Sequence, residues 1–187
     1  SLYFKAGLDK SILNQFGYKS NRHPLNLLPW KKVVNKINSL KKEINIGVVG
    51  KYTDLKDSYK SLSEAIVHGG LSNNIKVNIN WINSEKLNKS QIIKQLKNVH
   101  GILVPGGFGN RGINGKIHSI TYARQNNIPF FGICLGMQLA VVEISRNVLK
   151  MKDSNSSEFG KTKNPVVGLM TEWNQKNKKI KRNINSD

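Results

Sequence analysis

Short apolar runs alternate with longer amphipathic or polar stretches along most of the chain. Five runs have the length and composition of strands, and most of them are apolar enough to be buried on both faces: INIGVVG, KVNINWIN, GILVPGG, IPFFGIC and PVVGLMTEW. Between them lie four stretches that predict helices, namely DSYKSLSEAIVHGG, SEKLNKSQIIKQLKNV, NGKIHSITYARQNN and LGMQLAVVEISRNVLK. Strands and helices that alternate at this spacing predict an α/β fold with a mostly parallel sheet and helices on both faces.

Local signals suggest some boundaries of these elements. Asp57 or Ser58 is a possible N-cap of the first of the four helices, and Gly69-Gly70 is expected to end it. PVVGLMTEW is expected to be the last strand before a polar tail. Residues 1–43 are less regular, with a turn or two of helix in SILNQFGY and an amphipathic helix after Pro29. We therefore expect a lead-in over residues 1–43 and one α/β domain over residues 44–187.

Size and composition exclude several classes of protein. At 187 residues and 38% hydrophobic composition, the chain can build one good-sized core. No apolar run reaches about twenty residues, so no membrane span is expected, and the first ten residues lack the pattern of a secretory signal. Cys134 is the single cysteine, which excludes an internal disulfide and favours a cytoplasmic location.

The formal net charge of +19 has two possible explanations. A basic face for nucleic acid or membrane is one of them. The other is a compositional bias, because Lys, Asn and Ile are all abundant, as an AT-rich coding sequence would make them. Outside NQKNKKIKR the lysines are scattered, and no aromatic residues interleave with them to stack on bases. The pattern favours compositional bias, and neither nucleic acid nor membrane is expected as a partner.

The segment VPGGFGNRG, from Val104 to Gly112, has the glycine spacing of a dinucleotide-binding turn. Its context argues against that use, because it follows about the third strand and no acidic residue ends the next one. Phosphate-loop patterns also fail at Gly50-Lys51 and Gly115-Lys116, since neither lysine is followed by Ser or Thr. Two uses remain open: a plain strand-to-helix turn, or backbone N–H groups that hold a bound oxygen as an oxyanion hole does.

Cys134 stands between Gly132 and Gly136, where an apolar strand is predicted to meet a helix. This G-x-C-x-G pattern is the thiol counterpart of the G-x-S-x-G turn, in which small neighbours allow a sharp bend and the nucleophile projects from the sheet. The helix N-terminus favours a thiolate, and the N–H of Leu135 can help to hold an oxyanion. The alternative is a small buried hydrophobe, but the flanking glycines favour a nucleophile.

A thiol nucleophile usually needs a histidine base. His23 lies in the lead-in, His68 closes a predicted helix, and His100 precedes a strand at its amino end. His118 lies on the helix after the glycine loop, in surroundings that look exposed. None of the four is predicted at the carboxyl edge of the sheet, so each is interpreted as a surface histidine.

At this point the motifs identify a family. GICLGMQ, with PGGFG upstream, resembles the class I glutamine amidotransferases, which have a flavodoxin-like architecture. Longer segments narrow the resemblance to the C-terminal glutaminase half of the CTP synthases: VGKYTDLKDSYKSLSEAIVHGG, GILVPGGFGNRGINGKI, YARQNNIPFFGICLGMQLAVVEISRNVL, NSSEF and NPVVGLMTEW. The lead-in resembles the end of the synthetase domain and the linker that follows it.

The resemblance implies a reaction and a set of site residues. Cys134 would attack the side-chain amide of L-glutamine to give a glutamyl thioester and ammonia, with the N–H groups of Gly107 and Leu135 as the oxyanion hole. The residues expected to bind glutamine are Gly107, Leu135, Gly136, Met137, Gln138 and Glu158. No metal site is expected in this part of the family's sequence.

The resemblance also implies partners and limits. In the family, ammonia reaches a synthetase domain that converts UTP to CTP with ATP and Mg²⁺, GTP stimulates glutamine hydrolysis, and the protein is a homotetramer. No ATP or UTP site is expected here. The family's catalytic His and Glu are expected after Asp187, so the α/β domain should be incomplete at its C-terminus and inactive alone. The alternatives are a non-catalytic glutamine-binding or interaction module and a basic nucleic-acid-binding protein.

Overall fold

The structure is a computed structural model, which describes residues 2–18, 26–51, 53, 56–86, 88–168, 170, 172–175 and 178–181. It divides into two compact units, Ser1–Leu40 and Lys41–Asp187. In its described residues, the first unit contains the helices α1 (Leu2–Lys5), α2 (Leu8–Gln15) and α3 (Leu28–Ser39). The helix predicted after Pro29 is confirmed as α3, with the proline in its first turn, where the missing N–H has no helical partner to lose.

The second unit follows the predicted alternation of strands and helices. Its first part consists of β1 (Glu43–Gly50), a 3₁₀ turn (Lys56–Tyr59), α4 (Lys60–Ser72), β2 (Lys76–Asn83), α5 (Lys89–Leu96), β3 (Gly101–Val104), α6 (Ile113–Gln125), β4 (Phe130–Gly132) and α7 (Leu135–Asn147). It continues with β5 (Ser154–Ser156), a 3₁₀ turn (Ser157–Phe159), β6 (Asn164–Val167), β7 (Glu172–Gln175) and β8 (Lys178–Lys181).

Within the part of the chain that the structure describes, the central sheet consists of parallel strands in the order β2-β1-β3-β4. A Cβ added to Gly47 of β1 would lie 3.1 Å from Leu96 Cδ2 of α5, and one added to Gly70 of α4 would lie 2.5 Å from Val77 Cγ2 of β2. Val77 pairs with Ile44 of β1, and the Cβ positions of Ile44 and Gly47 face opposite sides of the sheet because they are an odd number of residues apart. The helix α4, which contacts Val77, therefore covers one face, and α5, which contacts Gly47, covers the other. The predicted fold class, a mostly parallel sheet with helices on both faces, is confirmed.

The main hydrophobic core lies on the face that α5, α6 and α7 cover. The strand β3 and the carboxyl half of β1 are buried on both faces, as parallel strands between helices are. The core's buried residues from the sheet are Val49, Ile82, Ile102 and Val104, and those from the three helices are Ile92, Leu96, Ile117, Ile120, Ala123, Leu135, Leu139 and Val142. This core anchors the carboxyl ends of the strands, where the loops of interest begin.

The predicted ends of α4 are wrong. Asp57 and Ser58 lie in the 3₁₀ turn before the helix, and Tyr59 is the N-cap residue without a side-chain cap. The helix also continues through Gly69-Gly70 to Ser72. Gly70 is needed for close packing on β2, where a Cβ would come within 2.6 Å of the carbonyl oxygen of Ile75. Gly70 therefore serves helix–sheet contact, and the glycine pair does not end the helix.

The polar helix predicted from Ser84 begins later, at Lys89. Asn83 Oδ1 accepts hydrogen bonds from the backbone N–H groups of Glu85 and Lys86, which holds this segment in a turn. Asn88 and Gln91 then form a reciprocal capping box that starts α5. The local side-chain bonds of the two asparagines set the boundary.

The C-terminal segment differs most from its prediction. The run PVVGLMTEW contributes to two strands in separate sheets: β6 pairs with β5 in parallel, and β7 pairs with β8 in antiparallel fashion. The basic run expected as a polar tail therefore includes a strand. Glu172 on β7 forms ion pairs with Lys179 and Lys181 on β8, so cross-strand charge pairs support a segment that apolar periodicity does not reveal.

A buried ion pair joins α6 to α7. The Glu143 side chain is fully buried and accepts hydrogen bonds from Arg124 Nη2 at 2.8 Å and from Asn147 Nδ2 at 2.8 Å. Burial by itself raises the pKa of Glu143. The hydrogen bonds from Arg124, Asn147 and Thr121, together with the charge of Arg124, lower it more, so the pKa lies below its ordinary value.

Replacing Arg124 by methionine should lower the free energy of unfolding by about 2 kcal/mol, because it leaves a buried carboxylate without its cation. This value is below that of a fully buried pair, since the Arg124 side chain is 36% exposed. Because the folded pKa of Glu143 is lowered, its contribution is present above the unfolded value of 4.5 and is lost as the pH falls below it. Urea denaturation at pH 7 and pH 4 measures this, and a smaller gap between the proteins at pH 7 than at pH 4 would contradict it. The double variant Arg124→Met/Glu143→Leu is the control and should recover most of the loss.

Candidate active site

The carboxyl ends of three neighbouring strands carry the residues of interest. Lys51 follows β1, the glycine loop of residues 105–112 follows β3, and Cys134 follows β4. Because β1, β3 and β4 are adjacent and parallel, these segments meet at one edge of the sheet. This is the edge at which open α/β sheets bind ligands.

Cys134 has a strained backbone, with φ 49° and ψ −109°. Non-glycine residues rarely adopt positive φ, and such conformations cost about 1–3 kcal/mol and cluster at functional sites. Its side chain is exposed. The structure therefore agrees with the predicted sharp turn and does not agree with the alternative of a small buried hydrophobe.

The glycines on both sides of Cys134 are required by close backbone contacts. A Cβ on Gly132 would lie 2.5 Å from the carbonyl carbon of Gly136, and one on Gly136 would lie 2.0 Å from the carbonyl oxygen of Val104. Both distances are far below van der Waals contact. The start of α7 is thus pressed against the end of β3, which brings Cys134 to the glycine loop.

Hydrogen bonds fix the turn at both ends. Ile133 N–H donates to Val104 O at 3.0 Å, and Gly136 N–H donates to Ile133 O at 2.8 Å. Gln138 N–H donates to Cys134 O at 3.1 Å, the first bond of α7. Leu135 is the first residue of α7, and the N–H groups of a first helical turn have no acceptor within the helix.

The glycine loop lies directly against the Cys134 turn. A Cβ on Gly106 would be 3.4 Å from the Cβ of Cys134, and one on Gly107 would be 3.9 Å from Leu135 Cδ2. The loop is tied to β1 by Lys51, whose Nζ donates to the carbonyl oxygens of Phe108 and, at 3.3 Å, Gly109. The predicted oxyanion-hole residues Gly107 and Leu135 are therefore neighbours in space.

A second lysine lies beneath the same loop. Lys116 of α6 is fully buried, and a Cβ on Gly107 would be 3.5 Å from its Nζ. Among the described residues this Nζ has no hydrogen-bond partner. Burial and the nearby charge of Lys51 lower the pKa of Lys116 to about 8, against an opposing effect of Glu85.

The other predicted glutamine-binding residues are only partly assembled. Gly136 is buried, Gln138 is half-buried and Met137 is 55% exposed, all on the first turn of α7. Glu158 is exposed on the 3₁₀ turn after β5, where its N–H donates to Ser156 Oγ at 3.2 Å. Within the described part of the chain, no hydrogen bond or ion pair joins the Glu158 side chain to Cys134 or its loop.

No described histidine forms a hydrogen bond with Cys134. His68 is exposed at the end of α4, and His100 accepts a hydrogen bond from Asn45 N–H at 3.0 Å. His118 was expected to be exposed but is half-buried, in a polar cleft of about 640 Å³ that Lys89 also lines. Burial, and then the charge of Lys89, lowers the pKa of His118. His23 lies outside the described residues.

Lys51 and Lys116 adjoin the glycine loop but are not among the site residues that the sequence predicts. Neither of them forms a phosphate loop, the one motif in which their sequence context would place them. Lys51 had a usable signal, because it directly follows a buried parallel strand at the carboxyl edge. Lys116 had none, since a lysine in an amphipathic helix normally faces solvent.

Two features are absent from the described residues. In the described residues, no helix is long and apolar enough to cross a membrane. The same residues contain no group of three or more His, Cys, Asp or Glu that could hold a metal ion.

Comparisons with known proteins agree with this geometry. The family described as Glutamine amidotransferase class-I matches residues 54–181. The CTP synthase of Pelagibacter ubique (strain HTCC1062) is 54% identical over 179 residues, which are 96% of this chain and 33% of that protein. The CTP synthase of Rhizobium johnstonii is 51% identical over 185 residues, 99% of this chain and 34% of that protein. The chain thus spans about one third of the length of these relatives.

A solved structure gives the same result. The glutaminase domain of Trypanosoma brucei CTPS, with bound acivicin, matches with a TM-score of 0.64 and 42% sequence identity. The match covers 68% of this chain and 50% of that one. The fold, the turn at Cys134 and the sequence relatives lead to one conclusion: the chain belongs to the class-I glutamine amidotransferases, and the two relatives named above, which match it over nearly its whole length, are CTP synthases.

Proposed function

We propose that this chain is the glutaminase part of a CTP synthase and hydrolyses the side-chain amide of L-glutamine through Cys134. The observation that carries the proposal is the setting of Cys134. It is exposed, held at positive φ, and next to a glycine loop at the carboxyl edge of the sheet. The family supplies the reaction class, and the setting is what a thiol nucleophile requires.

The proposed reaction has two stages. Cys134 Sγ, as a thiolate, attacks the amide carbon of glutamine, and the carbonyl electrons move onto oxygen to give an oxyanion. When this intermediate collapses, the C–N bond breaks and the nitrogen takes a proton to leave as ammonia, which leaves a glutamyl thioester. Water then adds to the thioester, the C–S bond breaks, and glutamate and the free thiol are released.

Backbone groups and fixed charges stabilise the anionic species in this proposal. The N–H groups of Gly107 and Leu135 lie on adjoining segments and would hold the oxyanion. The N-terminus of α7 begins directly after Cys134, and its partial positive charge favours the thiolate. Gly136, Met137 and Gln138 on this first turn, and Glu158 on the neighbouring segment, remain the candidates for binding glutamine.

The proton for the leaving ammonia needs a donor. His68, His100 and His118 form no hydrogen bond with Cys134, so we expect the acid–base group to come from outside the described residues. General acid–base help typically contributes about a hundred- to ten-thousand-fold. We therefore expect the chain alone to hydrolyse glutamine slowly or not measurably.

The role of the whole protein is also a proposal. Ammonia released at Cys134 would pass to a synthetase domain, where UTP becomes CTP with ATP and Mg²⁺, with GTP as activator and a homotetramer as the assembly. Mg²⁺ would serve the ATP-dependent step in that domain, whereas hydrolysis of glutamine at Cys134 uses the thiol and backbone N–H groups of this chain. Family membership and the CTP synthase relatives support this assignment.

Glutamine should protect Cys134 from iodoacetamide. Because the proposed substrate lies over the thiol, we expect saturating glutamine to slow alkylation at least about tenfold, whereas asparagine, which is one methylene shorter, should protect much less. Mass spectrometry of the single cysteine gives the rate directly. Equal rates of alkylation with and without glutamine would refute the proposal that glutamine binds over Cys134. Protection without any hydrolysis by the full-length protein would favour a non-catalytic glutamine-binding module.

A further inference from the structure

The buried ammonium of Lys116 is not explained by the fold. Lys116 is 0% exposed, yet its Nζ has no hydrogen-bond partner in the described structure. Lysine is almost never fully buried unless it is paired, and an unpaired buried cation is strongly unfavourable. A methionine of similar length would fill the same space without this penalty. An unsatisfied buried group of this kind calls for a compensating role elsewhere.

The location of Lys116 suggests that role. Its Nζ lies 3.5 Å from the point where a Cβ of Gly107 would stand, and Gly107 has no side chain to intervene. A Cβ added to Gly106, the preceding residue, would lie 3.4 Å from the Cβ of Cys134. The ammonium is therefore on the inner side of the short segment that adjoins the thiol.

Lys51 and Lys116 both adjoin the glycine loop, but they differ in their hydrogen bonds to it. Lys51 satisfies its ammonium on the carbonyl oxygens of Phe108 and Gly109, so it is bound to the loop by ordinary hydrogen bonds. Lys116 has no such bond within the described residues and leaves its charge uncompensated beside Gly107. Glu85 is the acidic group that acts on it, but Glu85 is itself paired with Arg111 Nε at 3.3 Å. Two lysine ammonium groups, those of Lys51 and Lys116, thus adjoin the glycine loop.

We propose that Lys116 is a positioning residue whose buried positive charge, beneath Gly107, stabilises the Cys134 thiolate and the oxyanion formed beside it. This inference rests on the proposed function, because it assigns a role within the same thiol chemistry. An interaction of this kind is strong where water is excluded and needs no contact with the substrate.

The inference includes a pH dependence. Burial and Lys51 lower the pKa of Lys116 to about 8, and Glu85 opposes them. The charge beneath the loop is therefore present at neutral pH and is lost as the pH rises through about 8. Hydrolysis of glutamine by the full-length protein should fall above this pH, and the fall should disappear when Lys116 is replaced by methionine.

The test compares Lys116→Met with Lys94→Met in the full-length protein. Lys94 is exposed on α5, so its replacement removes the same charge from the surface and serves as the matched control. For Lys116→Met we expect the midpoint of the pH dependence of Cys134 alkylation to rise by about one pH unit. We expect kcat for glutamine to fall about tenfold, with KM changed by less than about twofold. Lys94→Met should leave all three values unchanged.

The melting temperature of Lys116→Met distinguishes a role in stabilising the thiolate from a role in stabilising the fold. A lysine with a folded pKa near 8 and an unfolded value of 10.5 lowers stability below pH 8, and this penalty fades as the pH rises toward 10.5. Lys116→Met should therefore melt at the same or a higher temperature than the wild type at pH 7, an advantage that shrinks at pH 9–10. A large fall in melting temperature, or a failure to fold, would overturn the inference.

The two hypotheses can fail separately. An unchanged alkylation midpoint in Lys116→Met overturns the role of Lys116, whether or not glutamine is hydrolysed. If the wild-type full-length protein hydrolyses no glutamine, the proposed function fails, but the alkylation comparison still decides whether Lys116 stabilises the thiolate.

Discussion

Replacing Cys134 by alanine is expected to lower glutamine hydrolysis by the full-length protein at least about ten-thousand-fold. The reason is that alanine cannot form the thioester, and loss of a nucleophile typically costs this much or more. Glutamine affinity should change by less than about threefold, because the neighbouring N–H groups remain. Glutamate release measures the rate, and calorimetry with Cys134→Ala measures the affinity.

A second substitution at the same position tests the strain independently of activity. Cys134→Gly should be inactive like Cys134→Ala, but more stable than it by roughly 1 kcal/mol, because glycine adopts φ 49° without the penalty of a Cβ. Denaturant unfolding of the two variants gives the difference. Hydrolysis by Cys134→Ala at more than a few per cent of the wild-type rate would refute the assignment of Cys134 as the nucleophile. Equal stability of the two variants would instead refute the claim that the backbone at Cys134 is strained.

Replacing Gly136 by alanine is expected to lower the free energy of unfolding by about 3 kcal/mol or more. The added Cβ would lie 2.0 Å from the carbonyl oxygen of Val104, so α7 must move away from β3, and overpacking of a tight core is costly. The shift would also separate Cys134 from the glycine loop, so activity should fall with stability. Urea denaturation followed by circular dichroism measures the change.

Gly69 of α4 is the matched control for this substitution. It lies in a helix like Gly136, but a Cβ there would meet nothing within 4 Å. Gly69→Ala should therefore stabilise the protein by about 0.5–1 kcal/mol, since alanine is the better helix former. If Gly136→Ala unfolds within about 1 kcal/mol of the wild type, the close approach of α7 to β3 is not as the structure has it.

The strands, the helices and the turn at Cys134 could be predicted because their signals are local. Apolar runs such as those of β1 and β3 follow from burial on both faces of a parallel sheet, and this needs only neighbouring residues to recognise. The glycines around Cys134 are also a local signal, since a sharp turn requires small residues wherever it lies. The family resemblance depended on the same short segments.

Other elements could not be predicted, because long-range contacts determine them. Gly69-Gly70 looked like a helix end, but the helix continues through both residues, and β2 packs so closely on Gly70 that glycine is needed at that position. The strand β8 contains mostly lysines and is stabilised by Glu172 on its partner strand, which no periodicity in the segment itself reveals. In both cases the deciding partner is a different element of the chain.

The sequence by itself determined the fold class and the exposed thiol at a strand–helix junction, because backbone periodicity and glycine spacing are properties of consecutive residues. Only the tertiary structure decided which charges surround that thiol. Lys51 and Lys116 are two of many lysines in the chain, and no local pattern assigns both of them to one loop. They are distinguished because the parallel strands bring the end of β1 and the start of α6 to the same loop, where packing excludes water from one ammonium and leaves its charge uncompensated among the described residues.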